Sequence, residues 1–268
     1  MLKAALILFV TLAAAPALAG ASEWKDIAPG ARARLISSDT VRGGKMLAGL
    51  EIDMPESTNI YWRIPGETGI PTEFDFSRSS GVAAPRILWP FPTIARSRGY
   101  LDYAYYGPVV IPIELGLDGA RATLAVTVAM GVCDQICVPA SADFSLPLDA
   151  AKPDNAQSIR LDQAVALTPI AWDGEGDAVG EVRLAADGDA LILTGVHSSI
   201  DPAQLIAETG DPMLLFGPPQ KSPDAATLRM PLLSPIDAAR LVGRPIQLTF
   251  MTSAGAYAVT RTIAPFTN

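Results

Sequence analysis

The sequence predicts an all-β protein that is built from two β-sandwich-like domains. Of its 268 residues only 18% are charged, and 23 are proline. Short runs along most of the chain alternate between apolar and polar residues, which is the period-2 pattern of half-buried strands. A polar stretch at residues 151–168 interrupts that pattern, so the predicted strands fall into two series.

The first 19 residues predict a secretory signal peptide. Lys3 provides a basic start, residues 4–15 form a largely apolar run, and Ala17-Leu18-Ala19 is an A-x-A site for cleavage after Ala19. The apolar run is too short to span a bilayer comfortably, and no later segment is long and apolar enough to do so. We therefore expect an exported mature protein without a membrane span, in a compartment where disulfides can form.

The first predicted strand series lies in residues 20–150, which we interpret as the first domain. Its clearest strands are ATLAVTVAM (122–130) and ASADFSLPL (140–148), after the weaker ARARLISSDT (31–40), KMLAGLEIDMP (45–55) and VVIPIEL (109–115). In each of the two clear strands every second residue is apolar, which predicts one buried face. The members of these faces are Leu124, Val126, Val128 and Met130 in one strand, and Ala142, Phe144, Leu146 and Leu148 in the other. The two strands should pair as a hairpin.

Residues 151–168 read as a linker that is polar and then briefly helix-like, and residues 169–268 as a second β-sandwich-like domain. Its predicted strands are GEVRLAADGDALILTGV (180–196) with a turn at Asp187-Gly188, PMLLFGP (212–218), ATLRMPLL (226–233) and PIQLTFMTSAGAYAVTRTIAP (245–265). DPAQLIAETG (201–210) and SPIDAARLVG (234–243) begin with Asp or Ser and end with Gly, so they are predicted to be short helices.

Charge and composition exclude several classes of function. The net charge of −8 and the isoelectric point of about 4.7 argue against nucleic acid and anionic membranes as partners. The chain has one histidine, His197, which we interpret as an ordinary surface or turn residue. Without further histidines or a glycine-rich phosphate loop, hydrolase and transferase chemistry has little support, and we expect no cofactor.

The two cysteines, Cys133 and Cys137, lie in the predicted hairpin connection with three residues between them. In an extended chain their Cα atoms would be about 13 Å apart, which is too far for a disulfide. A tight turn at a hairpin tip would bring them close enough to bond. A five-residue ring would stabilise the fold by only about 2 kcal/mol, so such a bridge is a poor staple and a plausible redox switch.

Three interpretations of the pair stay open from the residues alone. The first is thiol–disulfide exchange, in which the pair cycles between dithiol and disulfide. The second is Cu(I) binding by the Cys133 and Cys137 thiolates, with Met130 nearby, since soft Cu(I) accepts few ligands. The third is a passive local bridge in a module that binds a partner. Asp134 disfavours a thiolate beside it, so the sequence shows no activated attacking thiol.

At the cysteines the chain resembles a known family. The stretch LAVTVAMGVCDQICVPASADFSLPL, with Cys133-x-x-x-Cys137-x-Pro139 between two strands, resembles the N-terminal periplasmic domain of the disulfide-interchange protein DsbD. It is more similar still to copper-sensitivity suppressors of the ScsB type, and YWRIPGETGIP (61–71) also resembles that group. The resemblance covers roughly residues 40–150.

The resemblance implies an immunoglobulin-like sandwich with a redox pair at a hairpin end. It implies a periplasmic component of a protein-disulfide reductase, of the kind linked to cytochrome c biogenesis and copper tolerance. Its partners would be a thioredoxin-like or membrane electron donor and exported thiol proteins. Cys137 would form the mixed disulfide and Cys133 would resolve it. An aromatic loop would shield the pair, with Phe91, Tyr100, Tyr103 or Tyr105 as candidates.

Overall fold

A computed structural model of the protein describes residues 20–97, 99–151, 156–222 and 226–266. The predicted signal peptide lies outside the described residues. Within those ranges, no helix has the length and apolar character needed to cross a membrane.

The described residues form nineteen β-strands, one α-helix and two short 3-10 helices. The first eleven strands are β1 (Lys25–Ala28), β2 (Ala31–Arg42), β3 (Lys45–Asp53), β4 (Asn59–Gly66), β5 (Glu73–Asp75), β6 (Val82–Ile87), β7 (Thr93–Ser97), β8 (Tyr100–Tyr106), β9 (Val109–Leu117), β10 (Arg121–Cys133) and β11 (Cys137–Asp149). After α1 (Ser158–Ala166) follow β12 (Ile170–Ala171), β13 (Glu181–Leu184), β14 (Ala190–Thr194), β15 (Leu205–Glu208), β16 (Gln220–Lys221), β17 (Leu228–Pro231), β18 (Pro245–Thr252) and β19 (Gly255–Ala264). The 3-10 helices are Pro202–Gln204 and Ala238–Leu241.

The strands β1 to β11 form two sheets that enclose one hydrophobic core, and we call this part of the chain, residues 20–149, the first module. One sheet has the order β1-β2-β3-β9-β6 and the other β11-β10-β4-β8-β7, with β5 paired to β10. Both sheets contribute apolar side chains to the core, among them Leu50, Ile113, Trp62 and Phe144. The expected all-β, immunoglobulin-like sandwich is confirmed.

The predicted hairpin of β10 and β11 is confirmed over its whole length. The two strands pair in register from Arg121 opposite Asp149 to Cys133 opposite Cys137. The apolar residues assigned to one face of β10, Leu124 to Met130, are buried in the core, and so are Phe144, Leu146 and Leu148 of β11. The period-2 pattern therefore placed both the strands and their buried faces correctly.

The strands β12 to β19 form a third sheet, and we call residues 170–264 the second module. Its strand order is β15-β18-β19-β13-β14-β17-β16, with β12 paired to β19. The two halves of this sheet meet where β13 pairs with the end of β19. They share one hydrophobic cluster, to which Phe250 and Leu248 come from one half and Leu191 and Val182 from the other. This is the expected second β-rich, sandwich-like unit.

Two predictions in the second module are wrong. The segment 201–210 has a helical turn only at Pro202–Gln204, and Leu205–Glu208 is the strand β15, because its backbone pairs with β18. The segment 212–218 is not a strand, although Phe216 makes an isolated bridge with Leu232. The predicted turn at Asp187-Gly188 does connect β13 to β14, and Gly188 adopts the left-handed conformation with φ of 73°.

Residues 158–166 of the predicted linker, which read as briefly helix-like, form the helix α1. Leu161 of α1 is fully buried, and the helix packs against β2, β3 and β9 of the first module. The structure therefore attaches α1 to the first module, whereas the exact boundaries of the predicted domains remain a prediction.

The two modules are in direct contact. Ile206 of β15 belongs to the hydrophobic core of the first module, although its neighbours Leu205 and Ala207 belong to that of the second. Glu208, two residues further along the same strand, forms an ion pair with Arg63 of β4. Strand β15 is thus an element of the second module that reaches the sheet carrying the cysteines, and Leu215 also packs against the first core.

Candidate redox site

Cys133 and Cys137 form a disulfide across the tip of the β10–β11 hairpin. Cys133 is the last residue of β10 and Cys137 the first of β11, so the two face each other in register, with Cα atoms 4.0 Å apart. Residues 134–136 make the turn, in which the Asp134 backbone N–H donates to the Ile136 carbonyl at 3.2 Å. The hairpin thus supplies the close approach that the sequence spacing required.

The two halves of the disulfide differ in exposure. Cys133 is only 3% exposed, whereas Cys137 is an exposed residue. The neighbours of Cys137 on the hairpin are also open to solvent, since Ile136 is 75% exposed and Val138 is half-exposed. Cys137 is therefore the solvent-exposed half of the disulfide, and it lies beside a small apolar surface.

Cys133 lies on the outer face of the sheet, and neighbouring side chains on that face bury it. Cys133 pairs with Asn59 of β4, and Tyr61 of β4 pairs with Ala104 of β8. Cys133, Tyr61 and Ala104 form a small hydrophobic cluster that is separate from the core. The Tyr61 hydroxyl lies 3.7 Å from the Cys137 Sγ, so this side chain touches both halves of the pair.

Residues 67–71, which we call the cover segment, close over this cluster. Gly69 lies so close to Tyr61 that a methyl group on Gly69 would be 2.3 Å from the ring carbon Cδ1. Ile70 packs on Gly131 of β10, where a methyl group would be 2.9 Å from the Ile70 Cβ. Glycine is required at both positions because the backbones approach their neighbours closely.

Hydrogen bonds to β8 and β4 fix both ends of the cover segment. The Thr68 backbone N–H and hydroxyl donate to the two carboxylate oxygens of Asp102, at 2.9 and 2.6 Å. The Glu67 carboxylate accepts from the Leu101 backbone N–H at 2.7 Å. Beyond the segment, the Thr72 hydroxyl donates to the Tyr61 carbonyl at 2.6 Å. The cover is therefore an ordered part of the site.

A second tyrosine, Tyr106, lies on the same outer face, opposite Asn59. Partial burial raises its pKa, and the neighbouring Tyr61 and Asp102 raise it further. Tyr106 therefore keeps its proton at neutral pH and adds no negative charge near the sulfurs. The charged side chain nearest in sequence is the exposed Asp134.

The structure places the four aromatic residues that were candidates for the shielding loop away from this cluster. Tyr103 and Tyr105 point to the inner face of the sheet, where Tyr103 packs edge-on against Trp62 and the Tyr105 hydroxyl donates to the Pro90 carbonyl. Phe91 packs against the core, and its backbone N–H donates to the Leu167 carbonyl. Tyr100 is half-exposed at the start of β8.

Sequence reasoning missed Tyr61 as the aromatic contact and residues 67–71 as the cover. One signal was available, because YWRIPGETGIP was singled out for its resemblance to ScsB-type proteins. Two glycines within four residues, Gly66 and Gly69, also indicate a close approach of the backbone.

The structure does not bring Met130, the additional ligand of the copper interpretation, to the cysteine pair. Met130 is buried in the core, on the opposite face of β10 from Cys133. Within the described ranges, no three His, Cys, Asp or Glu side chains are grouped so that they could hold a metal ion. His197 lies in the second module, where Nδ1 and the Ser199 hydroxyl are 2.8 Å apart and the ring packs on Trp172.

Comparison with known proteins identifies the fold. No family model and no curated protein sequence matches the chain. Among solved structures, the crystal structure of the N-terminal periplasmic domain of ScsB from Proteus mirabilis matches with a TM-score of 0.69. The two chains are 21% identical, and the match covers 92% of this chain and 99% of that one.

The chain has the fold of an ScsB N-terminal periplasmic domain. The resemblance that the cysteine motif predicted is thereby confirmed at the level of the fold. It also extends further than the motif indicated, because the match includes the second module as well as residues 40–150.

Proposed function

We propose that the protein is a thiol–disulfide interchange protein of the periplasm, which passes reducing equivalents to exported proteins. The observation that carries this proposal is the asymmetric disulfide, with Cys137 exposed and Cys133 buried at the tip of one hairpin. A bridge that closes only a five-residue ring contributes little to stability, and exposed bridges are the readily exchanged ones. The fold shared with a periplasmic ScsB domain supports the same role.

Reduction of the pair begins at the exposed sulfur. A thiolate of a donor protein attacks the Cys137 Sγ, the Cys133–Cys137 bond breaks, and Cys133 leaves as a thiolate that takes up a proton. A second thiolate of the donor then attacks the donor sulfur of the mixed disulfide and releases Cys137. The donor is left oxidised and the pair reduced, so the two electrons balance.

Transfer to a substrate reverses these roles. The Cys137 thiolate attacks a disulfide of the exported protein and forms a mixed disulfide, while one substrate thiol is released. The Cys133 thiolate then attacks the Cys137 Sγ, restores the intramolecular bridge and releases the second substrate thiol. Burial of Cys133 suits a resolving thiol, because it keeps this sulfur from attacking other proteins.

The partners would be a thioredoxin-like or membrane-bound electron donor and exported thiol proteins. The exposed Ile136 and Val138 give such partners an apolar contact beside the reacting sulfur. A thioredoxin-like donor would bring two thiols, as the reduction step requires.

Covalent trapping tests the proposal. In Cys133→Ala the Cys137 thiol has no resolving partner, so we expect mixed disulfides with periplasmic proteins that a reductant releases on a gel. Cys137→Ala is the matched control and should trap far less, because Cys133 is buried. Absence of trapped species from Cys133→Ala would contradict the proposal.

The reduction potential of the pair separates exchange from a passive bridge. In glutathione or dithiothreitol buffers we expect a value between about −120 and −270 mV, the range of exchange proteins. A value below about −300 mV would mean that cellular thiols do not reduce the bridge. The protein would then be a binding module with a local disulfide.

A further inference from the structure

We propose that the second module clamps the cover segment over the cysteine pair, and that Arg63 and Glu208 are the positioning residues of this clamp. The inference rests on the thiol–disulfide interchange function proposed above and assigns a role in it to the second module. It follows from where the two modules meet.

Strand β4 is irregular next to the cysteine site. Tyr61 pairs with Ala104 and Gly66 with Asp102, so four residues of β4, Trp62 to Pro65, face the single residue Tyr103 of β8. This bulge lies between Tyr61, which touches Cys137, and the cover segment, which begins at Glu67. A bulge interrupts the ladder of backbone hydrogen bonds, so β8 alone holds this stretch less firmly than a regular strand.

Arg63, at the middle of the bulge, is held by the second module. Its Nε and Nη2 atoms both donate to the Glu208 Oε1, at 3.0 and 2.5 Å. Its guanidinium group also lies 3.9 Å from the centre of the Trp62 ring. The side chain of Glu208 is only 4% exposed. Removing Arg63 would therefore leave a buried carboxylate without a compensating charge, which is costly.

Glu208 is firmly placed, because β15 is tied into both modules. The backbone of Glu208 pairs with that of Gln247 in β18, inside the second module. Ile206, on the same face of β15, is fully buried in the core of the first module. The second module thus presents a fixed carboxylate to the bulge, two residues from Tyr61 along β4.

The Arg63–Glu208 ion pair is therefore coupled to the shielding of Cys133. The cover segment continues directly from the bulge through Gly66, so the clamp acts at this end together with the bonds of Glu67 and Thr68 to β8. Loss of the Arg63–Glu208 pair should make local opening of residues 66–71 easier, while Trp62 and Ile64 stay buried in the core of the first module.

Alkylation of Cys133 measures this opening directly. In the full-length Cys137→Ala chain, Cys133 is the only thiol, and it lies under Tyr61. With iodoacetamide as the probe, we expect Arg63→Gln to raise the rate of Cys133 alkylation by about fivefold. Glu208→Gln keeps the shape of the side chain and an acceptor oxygen, so it should raise the rate by a smaller factor, about twofold.

Arg261→Gln is a matched control. The Arg261 side chain is 23% exposed against 24% for Arg63, and it bonds to Val179, Asp177 and the adjacent Thr260, all in its own module. Removing it loosens the second module without touching β4. We expect the alkylation rate of Cys133 to stay unchanged within experimental error.

Two results would overturn the clamp. One is an unchanged alkylation rate in both Arg63→Gln and Glu208→Gln; the other is an equal acceleration in Arg261→Gln, which would indicate general loosening. Hydrogen exchange in the disulfide-bonded chain provides a second measurement, with faster exchange expected at residues 66–71 of Glu208→Gln and unchanged exchange in β18. Neither alkylation nor hydrogen exchange needs a partner protein. The clamp can therefore be refuted while trapping by Cys133→Ala still succeeds, and trapping can fail while the clamp is supported.

Discussion

The two faces of the sheet β11-β10-β4-β8-β7 have different roles, since one packs on the core and the other holds the cysteine pair. The inner face presents large side chains to the core, such as Trp62 and Phe144. Around the cysteines, the outer face carries a small cluster of Tyr61, Ala104 and Cys133 beneath the five-residue cover segment. Because burial of apolar area is the main source of stability, the inner face stabilises the fold. The outer face can therefore expose a reactive bond and move without unfolding the module.

Truncation on the inner face should have the largest effect on stability. Trp62 is fully buried in the core, so Trp62→Ala should lower the free energy of unfolding by about 3–5 kcal/mol. Tyr106→Ala on the outer face removes a half-exposed ring, and should cost about 1 kcal/mol or less. Urea unfolding measures both values. Equal losses in the two variants would remove the distinction between the faces.

Removal of the disulfide should cost less than truncation of the core. The bridge closes a ring with a sequence separation of only 4, so the double variant Cys133→Ser, Cys137→Ser should lose about 2 kcal/mol. Thermal and urea unfolding of the oxidised and double-variant chains give this number. A loss as large as that of Trp62→Ala would make the bridge a structural staple.

The inner tyrosines should make the fold sensitive to alkaline pH. Burial raises the pKa of Tyr103 above its ordinary value, so the folded state keeps this proton while the unfolded state releases it above about pH 10. Stability then falls as pH rises, with a slope of up to about 1.4 kcal/mol per pH unit. Unfolding free energies between pH 8 and 11 should show a shallower decline in Tyr103→Phe. The half-exposed Tyr100→Phe is the control, and an identical decline in both would refute this assignment.

Tyr61→Phe should have the smallest effect on stability but a measurable one on the sulfur chemistry. The Tyr61 hydroxyl lies 3.7 Å from the Cys137 Sγ, where it can donate to the thiolate of the reduced pair. Charge-assisted bonds are the stronger ones, so losing this contact should shift the reduction potential to more negative values by about 10–30 mV. A shift to more positive values would show that the hydroxyl favours the disulfide.

The sequence predicted those parts of the site that depend on strand periodicity. Alternation along residues 122–130 and 140–148 was enough to place the hairpin and its buried face, and hence the cysteines at its tip. The cover segment could not be predicted in this way, because GETGIP has no period and its position depends on contacts with Tyr61 and Asp102.

The aromatic neighbour and the clamp depend on pairings across the chain. Tyr61 and Cys137 are 76 residues apart, and Arg63 and Glu208 are 145 apart. Residues 201–210 were predicted as a helix because of their Asp start and Gly end, so the strand β15 was missed. This strand has only four residues, and its pairing with β18 determines its position. Local preference is a weak guide when tertiary pairing decides the outcome.

The position of β11 at the end of its sheet has a consequence for solubility. A strand with an open side can recruit the same strand of another copy and start aggregation. Here Pro139 and Pro147 withhold backbone donors, and the Lys25 ammonium group occupies the Asp143 carbonyl at 2.5 Å. A protein that offers one end of this strand to foreign thiols is thereby discouraged from polymerising along the rest of it.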